Sequence, residues 1–260
     1  MRGRSRAQGG FTLIELMIAL SIGATIVTAG LSLYAGAVKT RATVHEQIRL
    51  QESAWSIRQT LARYVAQAGH RPLDLAARDG PLLPIAAHET AFPAADGRWE
   101  AGQYVRGTAA GIELRAIGSS DTTAADGSIT DCLGNEIDGD TLVTVAFRVD
   151  DGRLLCTLLD EAGADEESVV VAGDGESVLV ETVLWRLGVD DDADRQVDRL
   201  VEAEDGAGAS VALSLTAHVL LASVSSLQKA PTDYRFDGAV RTPSDRRLRR
   251  ESIVTVELRN

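Results

Sequence analysis

Four aspartates, Asp190, Asp192, Asp194 and Asp198, are the densest group of chemically able side chains in the sequence. Their D-x-D-x-D-x-x-x-D spacing lets alternate carboxylates of a tight loop converge on one point, and hard oxygen ligands of that kind suit Ca²⁺. Arg195 stands where a calcium loop has its turn-forming Gly, and Val201 stands where it has a bidentate Glu, with Glu202 one residue late. A solvated acidic turn, between a strand ending at Val189 and another beginning at Val197, accounts for the same residues. Cys132 and Cys156 are the only cysteines, available for a disulfide or for a reactive or metal-binding pair that no nearby His supports. His45, His70, His88 and His218 are scattered without an H-E-x-x-H pair, and there is no G-x-S-x-G elbow or Walker-type phosphate loop. A tethered hydrolase therefore has no distinguishing residues to rest on, and no catalytic residue or required cofactor is assigned.

Charge narrows the classes further. The 260 residues hold 26 Lys plus Arg against 38 Asp plus Glu, a formal net charge of −12. A duplex-nucleic-acid binder needs a basic face to neutralise phosphates, so no nucleic-acid partner is expected. The one basic run, Arg246, Arg247, Arg249 and Arg250, reads as a solvated loop pairing with acids or as a subunit contact. A mean hydropathy of −0.01 excludes a polytopic membrane protein, but it averages two unlike parts.

Those parts separate near the start of the chain. Residues 1–10 form a basic leader carrying Arg2, Arg4 and Arg6 and no acid. The 28 residues from Phe11 to Val38 hold a single charge, Glu15. An apolar helix needs ~20 residues to cross a hydrocarbon core ~30 Å thick, so 11–38 is long enough to span. The arginines hold the leader in the cytoplasm, which places the rest of the chain outside. A secretory signal is cleaved after its apolar core, whereas the small-residue junction here, Gly9-Gly10, precedes the apolar run. Glu15 is costly in a lone span and calls for a partner.

Gly10-Phe11-Thr12-Leu13-Ile14-Glu15-Leu16, behind a basic leader and ahead of the apolar run, resembles the type IV prepilin signature. The resemblance implies cleavage by prepilin peptidase between Gly10 and Phe11, N-methylation of Phe11, and use of the helix as filament core. It also implies that Glu15 pairs with the N-terminal amine of a neighbouring subunit during assembly. An amine with a pKa near ~8 is cationic at neutral pH and offsets a carboxylate in apolar surroundings.

Beyond Lys39 and Arg41 the pattern becomes amphipathic. Leu50, Ala54, Ile57, Leu61, Tyr64 or Val65, and Ala68 recur at steps of three and four, with Gly69 as a stop and Pro72 barring resumption. One helix over 11–69 is expected, with 39–69 offering a single face to a globular domain. Residues 70–100, with Pro72, Pro81, Pro84 and Pro93, read as an irregular connection. The domain over 101–260 holds β-type runs at Gly111–Ile117, Thr141–Val149, Arg153–Leu158, Ser177–Leu187, Val211–Leu221 and Ile253–Leu258, with Asp150-Asp151-Gly152 as a turn. Val211, Leu213, Leu215, Ala217 and Val219 alternate as in a sheet with one face on the core, a face the helix is expected to cover. The fold class is α+β, a long N-terminal helix packed on an antiparallel β-sheet domain, which is type IV pilin-like by the resemblance.

Gln51-Glu52-Ser53-Ala54-Trp55 and Leu61 to Gly69 resemble the stretch after the membrane helix in PilW-type minor pilins, departing from it at Ser53, Tyr64 and Gln67. The segments around Cys132 and Cys156, the turn leading to Val197-Asp198-Arg199 and the closing Leu258-Arg259-Asn260 are also similar to that family. In an oxidising periplasm a bridge between Cys132 and Cys156 closes a loop of about 25 residues and contributes ~3 kcal/mol. The resemblance implies a minor pilin that primes assembly and can occupy the pilus tip. Its partners would be other minor pilins, the major pilin, prepilin peptidase and the inner membrane. It would pass from a single-span inner-membrane form, with a periplasmic C-terminal domain, to the extracellular fibre of a Gram-negative bacterium. The alternatives are a minor pseudopilin of type II secretion and a calcium-dependent adhesive module on the filament.

Overall fold

The computed structural model describes residues 12–71, 90–95, 97–118, 129–137, 141–192, 194, 196–204, 212–226 and 228–258. The basic leader, Gly10, Phe11 and most of the connection expected over 70–100 lie outside them. Helix α1, Leu13–Gln67, contributes to both compact units of the chain, Met1–His45 and Glu46–Asn260.

In the first unit the apolar side chains of Leu13, Ile14, Leu16, Met17, Leu20, Ile22, Ile26 and Leu31 are all exposed. Its serine and threonine hydroxyls from Ser21 to Thr43 do not conflict with apolar surroundings, because each bonds back to the helix. Ser21 Oγ donates to the Ile18 carbonyl at 2.9 Å, Thr28 Oγ1 to Ala24 at 3.0 Å and Ser32 Oγ to Ala29 at 2.8 Å. This stretch is long and apolar enough to cross a membrane.

In the second unit α1 buries Leu50, Ala54, Ile57, Leu61 and Val65, the stripe expected from the sequence. The helix ends at Gln67, and Gly69 takes φ 76°, a conformation that disfavours a side chain. Its amide then donates to the Arg115 carbonyl at 3.0 Å, so the cap is also the first tie to the sheet.

Eleven strands follow among the described residues. β1 (Val105–Thr108), β2 (Gly111–Ile117), β3 (Leu142–Asp150), β4 (Arg153–Leu159) and β5 (Asp165–Ala172) form an antiparallel meander in that order. The turn at Asp151 and Gly152 has both φ values positive, 43° and 72°, as a two-residue hairpin between Asp150 and Arg153 requires. β6 (Val178–Val189), β7 (Arg199–Glu202), β8 (Ala212–Ser223) and β11 (Arg249–Glu257) form a second antiparallel sheet in the order β11-β8-β6-β7. β9 (Tyr234–Phe236) and β10 (Ala239–Arg241) make a separate hairpin. The two sheets and α1 share one core that includes Phe147, Leu154, Trp185, Leu187, Leu215 and Leu221.

Three local readings change in the structure. The alternation on β8 runs through Leu215, Ala217, Val219 and Leu221, but a register irregularity opposite Gly188 and Val189 puts Ala212 in the core in place of Leu213. β11 begins at Arg249, four residues before the expected start at Ile253, because Arg249 finds carboxylate partners and Arg250 pairs opposite Leu221. β7 begins at Arg199, two residues after the expected Val197.

Candidate functional site

The start of α1 is held by a reciprocal pair. The Thr12 amide and hydroxyl both donate to Glu15 Oε2 at 2.9 Å, and the Glu15 amide donates to Thr12 Oγ1 at 3.3 Å. This is the T-x-x-E capping box, in which two orphan amides at a helix start are satisfied by side chains. Glu15 was expected to await a partner from another chain, and Thr12 had no assigned role. The spacing of Thr12 and Glu15 was itself the available signal. The carboxylate is exposed at the end of an apolar helix and so remains reachable.

Cys132 and Cys156 are joined by a disulfide with Cα atoms 6.2 Å apart. Cys156 is on β4 and fully buried, while Cys132 sits in the 129–137 loop, where Asp131 Oδ1 accepts from the amides of Leu133 (2.9 Å) and Asn135 (2.8 Å). The same loop meets α1, for Arg63 donates to Thr130 Oγ1 at 2.9 Å. The bridge thus fixes a short loop between sheet and helix, surroundings in which sulfur packs as core.

The four aspartates do not act as one set. Asp190, Asp192 and Asp194 bring carboxylate oxygens within 4.8 Å of one another. Asp198 turns instead to the Asp191 amide at 2.8 Å, and Asp194 accepts from the amide and side chain of Gln196 at 2.7 and 2.9 Å. Arg199 grips Asp191 through bonds of 2.7 and 3.1 Å, which holds that carboxyl below its ordinary range and raises the guanidinium. Val189 pairs with Arg199 across the ladder, so the loop closes a hairpin between β6 and β7.

Two further charged groups were not legible from spacing. Glu113, buried on β2, is enclosed by Arg98, Arg106 and Arg148 at 3.3, 3.5 and 3.6 Å. Arg115, buried on the same strand, donates to the Pro93 carbonyl at 3.0 Å and lies over the Trp99 ring. Burial, with the nearby Arg98 charge, lowers the Arg115 guanidinium. A cleft of about 620 Å³ between the sheets is lined by Arg148, Asp165, Glu181, Trp185, Glu202 and Glu204 among others. Asp165 and Glu181 are already tied to Arg148 and Arg249. His218 pairs with Glu251 at 2.8 Å, and His70 Nδ1 contacts the Ile117 carbonyl. These are contacts that hold elements together.

The family model of the prokaryotic N-terminal methylation motif matches residues 5–31. A solved type IV-like pilin from Thermus thermophilus is similar over 81% of this chain and 97% of its own, at 16% identity and a TM-score of 0.45. No curated protein matches the chain. The matched methylation motif thus lies on an apolar helix that continues into an antiparallel β unit, the arrangement of one long N-terminal helix and antiparallel sheets expected from the sequence. The motif implies processing by prepilin peptidase and assembly with other pilins, and it fits an anchor in the inner membrane before assembly.

Proposed function

We propose that this protein is a minor pilin of PilW type that primes type IV pilus assembly, in company with other minor pilins and the major pilin. The observation that carries the reading is the capped apolar helix. From Leu13 to Val38 its large side chains are exposed among the described residues, and its serine and threonine hydroxyls bond back to the helix. Such a helix is stable in a bilayer and equally in a bundle of like helices. Ile48 and Trp55, seven positions apart, leave a further exposed apolar stripe on α1 for neighbouring subunits. The role is mechanical: the helix leaves the inner membrane for the fibre, Glu15 selects a neighbour's N-terminal amine, and the β unit supplies side contacts. The periplasmic side holds the domain before assembly, and the extracellular fibre holds it afterwards.

The test counts surface filaments in a deletion strain, with and without the retraction motor. Few pili, recovering in part when retraction is blocked, are expected. Normal pili with lost secretion of enzymes would move the protein to a type II secretion pseudopilus.

A further inference from the structure

Among the described residues the two sheets end in four edge strands, β1, β5, β7 and β11. Exposed edges invite pairing with other chains, and natural proteins blunt them with short strands, bulges and charges. β1 and β7 have four residues each. β5 opens with Asp165, Glu166 and Glu167, and its register against β4 is broken twice. β11 differs from all three. Its nine residues pair with β8 in unbroken register from Arg249 opposite Ala222 to Glu257 opposite Ser214. Its central Ser252–Val256 segment holds no charge, Pro or Gly, and four of those five residues are β-branched.

Both faces of β11 meet other elements, but among the described residues no strand pairs with its edge away from β8. On the inner face Val254 is buried and Ser252 Oγ donates to the Ala54 carbonyl of α1 at 3.3 Å. On the outer face the β9–β10 hairpin reaches the start of the strand, where the Asp237 amide donates to Glu251 at 2.9 Å. Ile253 remains 51% exposed. Arg246 and Arg250, at the strand's beginning, are exposed and belong to none of the ion pairs formed among the described residues.

We infer that the edge of β11, unpaired among the described residues, receives an extended segment of a neighbouring filament subunit as a fifth strand of this sheet. Main-chain hydrogen bonds along Ser252–Val256 would supply affinity, as in other cases of strand addition. The surplus of guanidiniums selects a segment with carboxylates at the end facing Arg246 and Arg250, and Ile253 selects an apolar residue opposite it. The inference rests on the minor-pilin reading, which leaves few copies of this chain to meet one another; the occupant is therefore a subunit of different sequence.

Amide hydrogen exchange compares the full-length processed chain in detergent micelles with the same chain in purified filaments. Exchange over 252–256 is expected to slow by about tenfold or more in filaments. Unchanged exchange in filaments that contain the chain overturns the inference while leaving the functional reading intact; absence of the chain from filaments sinks both. Protection that arises in micelles as concentration rises would make the occupant a second copy and overturn the assignment to another subunit. Ile253→Lys, an exposed substitution, should leave thermal unfolding in micelles unchanged and abolish the protection in filaments. Full protection in that variant also counts against the inference.

Discussion

Arg249 holds Glu181 through two parallel hydrogen bonds, Nε to Oε2 and Nη2 to Oε1, each 2.7 Å long. The same guanidinium donates to both oxygens of Asp245 at 2.7 and 2.8 Å and lies over the Tyr234 ring. Its side chain is only 8% exposed, so one buried cation ties β11 to β6, to the preceding loop and to the β9 hairpin. A forked, planar donor can satisfy two carboxylates at once, which a lysine ammonium cannot do with the same geometry.

Replacing that residue should therefore be expensive. Arg249→Ala leaves two carboxylates facing each other without their cation, and a loss of about 2–4 kcal/mol is expected. Arg249→Lys keeps the charge and should recover only part of the loss. Urea denaturation of the three proteins in detergent checks the order, and equal midpoints would show that the network adds nothing.

Acid should act on the same network. Hydrogen bonds from Arg249 are the main cause holding the Asp245 carboxyl down at about 2. Asp174 is also well below the usual range; burial pushes it up, but bonds from the Ser177 hydroxyl and the amides of Ser177, Val178 and Glu176 outweigh burial. A depressed folded pKa contributes stability that is present above the unfolded value near ~4 and is lost as pH falls through the folded value. Thermal midpoints should thus drop between about pH 4 and pH 2. Asp245→Asn should lower stability at neutral pH and flatten part of that acid slope; a slope identical to wild type would assign the loss elsewhere.

The disulfide closes a loop of sequence separation 24 and should contribute ~3 kcal/mol through the unfolded chain. Reduced wild type and Cys132→Ala should lose stability by similar amounts, with the Tyr64 and Phe147 ring contact loosening as the 129–137 loop comes free. Denaturation with and without reductant measures this. A Cys132→Ala variant that remains sensitive to reductant would contradict the pairing.

At the N-terminus, Gly10→Val should remain at precursor mass, because the residue before the cut loses its small size. Glu15→Ala should be cleaved and assemble poorly. Thr12→Ala removes the helix cap at a cost of about 1 kcal/mol to the first turn and should assemble less well than wild type even with Glu15 present. Mass spectrometry reads cleavage, and the amount of each variant in sheared filaments reads assembly. Normal incorporation of Glu15→Ala would remove that carboxylate from the mechanism.

The sequence by itself determined whatever depended on near neighbours. The apolar run to Val38, the stripe from Leu50 to Val65 and the stop at Gly69 are patterns of one helix, whose backbone ladder is made between residues four apart. The Asp151-Gly152 turn was legible for the same reason, since positive φ is a property of local sequence. Tertiary structure decided what depended on partners distant in the chain. β5 begins with three acids and reads poorly as a strand, yet it forms because β4 offers it a ladder. Leu213 leaves the core because its register is set by pairing with β6. Asp198 leaves the aspartate group, and Arg249 leaves the solvated run, because a charged side chain is placed by the partners it can reach in space.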